Sequence, residues 1–251
     1  MGTLNVARHG QVLEIQLANP GKANALDLQM LAQFDEQITR VQADAGVRVL
    51  LLRGTPGGTF SAGADIRQWA PMTPEVFARD WIAHGNAIFR RFEQLRCPTV
   101  AAIEGLCFGG GLELALCADL RVASSAARLR FPETSIGAIP GWEGGPRLAR
   151  LAGRGRALEA VLTAREIDAA TALQWGVLNA VWPAEGFAAG LAALLEQLVA
   201  VSPRAAALAK QAIVGTADSE SFHAHAGAEI KASADAEIGI RAFLDKRPAR
   251  F

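Results

Sequence analysis

Glu113 stands in CFGGGLELALCADLRV (107–122), directly after three glycines and flanked by Leu112, Leu114, Ala115 and Leu116. Such an apolar setting implies burial. A buried carboxylate is costly unless it is hydrogen-bonded or neutralised. Burial also raises a carboxyl pKa, which suits an acid or base working near neutrality. Further on, Glu133 lies between Pro132 and Thr134 in RFPETSIGAIPG (130–141), again among apolar residues. Each acid alone is ambiguous. An acid in a first helical turn favours the helix dipole, and Pro followed by Glu is an ordinary helix start.

Two glycine-containing loops add the missing electrophilic partner. Gly109, Gly110 and Gly111 open a short helix after a buried strand, where backbone N–H groups lack intrahelical acceptors. The loop TFSAGAD (59–65) also follows a buried strand, and Ser61, Ala62, Gly63 and Ala64 leave its backbone approachable. One N–H from each loop could converge on a single oxygen and stabilise negative charge there. Two acids near two such amides are more specific than any of the four alone. The glycines fit neither a P-loop nor a dinucleotide fingerprint.

Other candidates carry less. His9, His84, His223 and His225 form no HExxH and no pairing with cysteine at ligand spacing, so no metal site is expected. Ser61 lacks a GxSxG context. Cys97, Cys107 and Cys117 contain no CxxC and read as reduced, buried thiols. Trp142 and Glu143 in IPGWEGG are placed to shape a pocket, or, for Glu143, to open a helix.

Residues 4–8 and 11–17 alternate in polarity around Gly10 and predict a hairpin. Asp27 caps a helix over 28–44, and 47–54, 99–105 and 118–124 read as strands, with Asp119 anchoring the last. Helical spacing covers 75–95, 143–151, 154–163, 168–175 and everything after about 186. Strands alternating with helices predict an α/β fold of βαβ units with a helical C-terminal extension. The chain of 251 residues is 51% hydrophobic, enough for a sizeable core. Its 25 basic and 25 acidic side chains supply no global field for nucleic acid or an anionic membrane. No run of about 20 apolar residues and no secretory leader is apparent, so a cytoplasmic protein is expected.

With these residues in view, FSAGADIRQW (60–69), CPTVAAIEGLCFGGGLELALCADLRVAS (97–124) and FPETSIGAIPGWEGGPRLARLAG (131–153) resemble the enoyl-CoA hydratase/isomerase (crotonase) superfamily. So do AREIDAATALQWGVLNAV (164–181) and the ending GIRAFLDKRPARF (239–251). The resemblance implies a ββα spiral core over 1–185. It also implies a helical region over 186–251 that serves trimerisation and the acyl-CoA pocket, the two forming one functional unit. A homotrimer or dimer of trimers is expected. Carried over by position, the oxyanion-hole amides fall on Ala64 and Gly110, and the two acids of family hydratases on Glu113 and Glu133. Ala62, Ala64, Asp65, Ile66, Gly110, Trp142, Phe243 and Lys246 are implied to meet the acyl-CoA, the last two more loosely and often from a neighbouring subunit. No cofactor is implied, because coenzyme A is part of the substrate. Hydration of a 2-enoyl-CoA in fatty acid metabolism is the first expectation. A double-bond isomerase, another acyl-CoA lyase and a non-catalytic member of the fold are the alternatives. The family's usual small residue and glycines after Pro140 are replaced by Gly-Trp-Glu-Gly-Gly-Pro, which leaves acyl-chain preference and the role of Glu143 open.

Overall fold

A computed structural model describes residues 1–215 and 219–251. Among the described residues nine strands build two sheets. The larger contains β1 (Thr3–His9), β2 (Val12–Ala18), β3 (Val49–Arg53), β4 (Thr99–Ile103), β6 (Leu120–Ser124) and β9 (Ala180–Trp182), in spatial order β1-β2-β3-β4-β6-β9. β1 and β2 form the antiparallel hairpin, turning at Gly10 with φ +61°; the remaining pairs are parallel. The smaller sheet joins β5 (Leu106–Phe108), β7 (Arg128–Arg130) and β8 (Ile167–Asp168), in the order β5-β7-β8.

Alternation along the strands of the larger sheet builds two cores. Ile15, Leu17, Leu50, Leu52, Ala101, Ile103 and Ala123 face the main core, where they meet Phe34, Ile38, Phe89 and Phe92. Val12, Val49, Leu51, Val100, Ala102 and Val122 face the other way, against Phe187 and Leu191. Helix Phe187–Ala200 therefore covers the outer face, and the central strands are buried on both sides, as parallel sheets require. The helices Pro203–Val214, Ser219–Lys231 and Ala234–Leu244 follow it; the helical reading at 216–218 lies outside the described residues. Among the described residues no single helix is long and apolar enough to cross a membrane.

Asp27 caps helix Leu28–Ala43 as expected, accepting from Met30 N at 2.8 Å with Oδ1 and from Gly2 N at 2.7 Å with Oδ2. The segment expected as one helix over 75–95 is divided instead. A turn at Pro74–Val76 leads into a π-helical stretch, Phe77–Ala83, and only then into helix His84–Glu93. A π stretch widens the hydrogen-bond ladder and leaves carbonyls available to side chains.

Asp119 joins the start of β6 to β4 and to the C-terminal helices. Its Oδ2 accepts from Thr99 N at 2.8 Å, from Thr99 Oγ1 at 2.9 Å and from Lys210 Nζ at 2.7 Å. Thr99 is fully buried, so removing the carboxylate strands its N–H. Replacing Asp119 with Ala is expected to lower the unfolding free energy by about 2–3 kcal/mol, measured by urea titration; an unchanged midpoint would show that water replaces the carboxylate.

Candidate active site

The Ser61–Asp65 loop is held to its surroundings at nearly every amide. Ala62 N donates to Ala23 O at 2.9 Å, Gly63 N to Ser61 Oγ at 3.2 Å and Asp65 N to Leu26 O at 2.8 Å. Short parallel bridges pair Leu26 with Ala64 and Ser61 with Cys107. Asn24, at φ +56°, braces the loop from behind: its Nδ2 donates to Thr59 O at 2.9 Å, and its carbonyl accepts from Ser61 Oγ at 2.8 Å. The amide of Ala64 is the exception, with no acceptor among the described residues.

That amide lies beside the glycine triplet. Gly110 is the first residue of helix Gly110–Ala115, so its N–H has no carbonyl one turn back in the helix. A Cβ added to Gly110 would sit 3.3 Å from Ala64 N, and one added to Gly63 would sit 3.4 Å from Gly110 N. Two unspent amides therefore stand side by side. A Cβ on Gly110 would also come within 2.5 Å of the Trp142 ring, so only glycine fits between the indole and the loop. Gly109 adopts φ +49°, ψ −128°, which turns the chain from β5 into the helix.

Glu113 is the fourth residue of that helix and is 2% exposed. Its Oε1 accepts from Trp142 N at 2.8 Å and Gly144 N at 2.9 Å. Both amides can reach one oxygen because the residue between them, Glu143, takes the left-handed conformation at φ +62°. Oε2 of Glu113 takes no hydrogen bond from the described residues. Glu133 begins a short 3-10 turn, Glu133–Ile136, and its Oε1 abuts the glycine triplet, 2.8 Å from where a Cβ on Gly109 would sit. Its Oε2 is buried and unpartnered. Each acid thus leaves at least one oxygen without a partner among the described residues, which suits contact with water.

Both carboxyls are raised. Burial pushes Glu113 up to about 8, opposed by the Gly144 and Trp142 amides and by Arg147, and reinforced by the charge of Glu133. Burial likewise pushes Glu133 up to about 7. With one carboxyl raised to about 7 and the other to about 8, the protonation changes of both fall close to neutrality. Proton exchange at neutral pH is the chemistry this favours.

The remaining expected site residues differ in burial and in their partners. Trp142 is 1% exposed and does not offer an open pocket lining. Its ring stacks on Trp81 at 5.4 Å, meets Phe89 edge-on at 5.2 Å, and donates from Nε1 to Trp81 O in the π stretch at 3.0 Å. Asp65 is buried, paired with Lys22 Nζ at 2.5 Å and capping Ile66–Trp69 through Arg67 N; Ala62 and Ile66 are exposed. Phe243 is 82% exposed, and Lys246 lies just beyond helix Ala234–Leu244 at φ +53°. Neither side chain is tied by a hydrogen bond or ion pair to the other site residues. Glu143 stands at the start of helix Gly144–Ala152 as its N-cap residue, but its side chain makes no capping hydrogen bond; it pairs instead with Arg90, which holds the carboxylate below the usual range. Sequence reasoning missed Arg147 and Glu93. The only hint was a basic residue four positions after Glu143.

Residues 7–251 match the family model described as enoyl-CoA hydratase/isomerase. The chain is 34% identical over 247 residues to the short-chain-enoyl-CoA hydratase of Clostridium acetobutylicum, covering 96% of this chain and 94% of that protein. It is 33% identical over 242 residues to the crotonyl-CoA hydratase of Syntrophomonas wolfei, covering 94% and 93%. The crystal structure of an enoyl-CoA hydratase from Bacillus anthracis superposes with a TM-score of 0.94 at 32% identity, covering 99% of this chain and 98% of that one.

The raised Glu113 carboxyl has a cost that depends on pH. Its contribution to stability is fully present below about 4.5, where both folded and unfolded forms are protonated, and is lost as pH rises to about 8. Glutamine keeps the oxygen that accepts from Trp142 and Gly144 and carries no charge. The Glu113→Gln protein is therefore expected to gain stability over wild type as pH rises through that window, by a few kcal/mol at its upper end. Parallel thermal melts across pH test this; a difference that does not change with pH would show Glu113 to be ionised throughout.

Proposed function

The chain belongs to the enoyl-CoA hydratase/isomerase family, and from that premise we propose that it adds water across the 2,3 double bond of a 2-enoyl-CoA thioester. The observation that carries this reading is the pair of unpartnered carboxyl oxygens, on Glu113 and Glu133, beside the unspent amides of Ala64 and Gly110. The amides hold the thioester oxygen, where charge develops as C3 is attacked. Water sits between the two acids. As its oxygen bonds to C3, one of its protons passes to Glu113, and the π pair moves toward the thioester oxygen. Glu133 delivers a proton to C2 as the enolate collapses. Glu113 then holds a proton and Glu133 does not, which is the order their environments favour at rest. Before the next turnover a proton returns to Glu133, and a water between them is the route. Coenzyme A enters as part of the substrate, and these steps use no further cofactor.

A double-bond shift needs one acid to carry a proton between C2 and C4. Two facing acids, each with a spare oxygen, favour hydration. Trp142 bears on chain length: its indole stands against Gly110, Gly85 and Phe89, and a large ring held beside the glycine triplet supports a preference for a short acyl group. Exposed Ile139, Leu162, Phe243 and Leu244 support assembly of copies into a homotrimer or dimer of trimers, a cytoplasmic protein being the expected form.

The singly protonated pair is the active form, so kcat/KM is expected to follow a bell with limbs near 7 and 8. In Glu113→Gln one limb disappears and kcat falls by about a hundredfold or more while KM moves little. A flat profile, or near-normal turnover of Glu113→Gln, would refute the assigned role. Consumption of 3-enoyl-CoA with none of the 2-enoyl isomer would make the protein an isomerase. Across a panel of 2-enoyl-CoA thioesters, rates are expected to fall with chain length, and Trp142→Ala to move the preference to longer or branched chains. A preference unaltered by that change would remove the indole from the acyl path.

A further inference from the structure

The turn that grips Glu113 is itself gripped. Arg147 lies in helix Gly144–Ala152 and is 2% exposed. Its Nε and Nη2 donate to the two oxygens of Glu93 at 2.7 and 2.9 Å, a planar two-bond fork. Its Nη1 donates to the carbonyl of Trp142. The N–H of that same Trp142 reaches Glu113 Oε1 at 2.8 Å. Glu93 closes helix His84–Glu93, the helix that also sets Gly85 and Phe89 against the Trp142 ring. One guanidinium thus spans the aromatic wall and the turn whose amides orient the acid.

We propose that Arg147, held by Glu93, is the positioning residue for Glu113: it pins the Trp142 carbonyl, and through it the two amides that fix Glu113 Oε1. This rests on the hydratase reading for its kinetic consequence, though not for its geometry. The role is built for arginine. Lysine can supply the charge but cannot make the fork to Glu93 and the bond to Trp142 together. The charged groups around the unit are few. Glu143 Oε2 stands 3.5 Å from Arg147 and is shared with Arg90, and Arg150 stands 3.8 Å from Glu93. Glu113 faces Glu133 and Arg147, and Cys117 Sγ donates to its main-chain carbonyl at 3.2 Å.

Arg147→Lys, Arg147→Met and Glu93→Gln separate charge from positioning. Each is compared with wild type by kcat and KM on a short 2-enoyl-CoA, per folded protein from thermal melts, and by 13C NMR titration of the Glu113 carboxyl. For Arg147→Lys, kcat is expected to fall about tenfold or more, with KM within about threefold and the Glu113 titration near that of wild type. For Arg147→Met the fall is about a hundredfold, and Glu113 titrates higher because the nearby positive charge is gone. Glu93→Gln, which weakens the fork and keeps the guanidinium, is expected to resemble Arg147→Lys. Wild-type kcat in folded Arg147→Lys and Glu93→Gln would overturn the proposal, as would a loss matched by the unfolded fraction. If Arg147→Met fails to fold, those two variants decide the matter. If wild type hydrates no enoyl-CoA, the functional reading fails. The carboxyl titrations then decide the placement of Arg147 separately: Glu113 unshifted in folded Arg147→Met would overturn it.

Discussion

A carboxyl group withdrawn from water must find donors, and Glu113 finds them in the amides of Trp142 and Gly144. The Trp142–Gly144 turn and its supports answer to that need. The left-handed turn at Glu143 exists where two N–H groups have to meet one oxygen. Trp142, whose amide is one of the two, is anchored through its indole to Trp81 O and through its carbonyl to Arg147. With Oε1 spoken for, Oε2 is the oxygen left for chemistry, and the charge of Glu133, itself with an unpartnered oxygen, is felt at this carboxyl. Burial raises both acids into the range where a proton can pass either way at neutral pH.

The proposed oxyanion hole depends on a different constraint, close approach of two backbones. Ala64 N and Gly110 N come together because Gly63, Gly109 and Gly110 carry no side chains at the contact. The loop is rigid for the same reason that one amide is free: its neighbours are spent on Ala23, Ser61 and Leu26. A donor fixed before substrate arrives needs no reorganisation as charge develops, and such preorganisation is where oxyanion sites gain most of their effect.

Much of this was legible in the sequence. An acid among leucines after three glycines announces burial, and a second glycine loop after a buried strand announces another approachable backbone. Glu113 and Glu133 stand out on those grounds, while the narrowing of the two loops to Ala64 and Gly110 is what the family resemblance implies; the fold sets the Ala64 amide beside Gly110 and Glu133 against Gly109, and Glu133 acts electrostatically on Glu113. Strands β2, β3, β4 and β6 were visible because each is a buried or alternating run. β5, β7 and β8 were not, since two or three residues carry no readable period. The π stretch at Phe77–Ala83 hides inside an ordinary helical pattern; within it the Trp81 carbonyl takes the indole N–H of Trp142, a tertiary contact that no local period reports. Glu143 does open helix Gly144–Ala152, its carbonyl accepting from Arg147 N at 3.1 Å, while its carboxylate pairs with Arg90, a partner on another helix that nothing local reports. The Glu93–Arg147 fork joins residues on separate helices, and nothing local in either sequence context reports it.

The central physical claim is that two main-chain amides hold and polarise the thioester oxygen. Isotope-edited infrared difference spectroscopy of a bound, unreactive acyl-CoA labelled at the thioester carbonyl reads this directly. With the carbonyl between Ala64 N and Gly110 N, its stretch is expected to move to lower wavenumber on binding. A band left at its position in free solution would mean that the oxygen lies elsewhere and that the hole does not act on it.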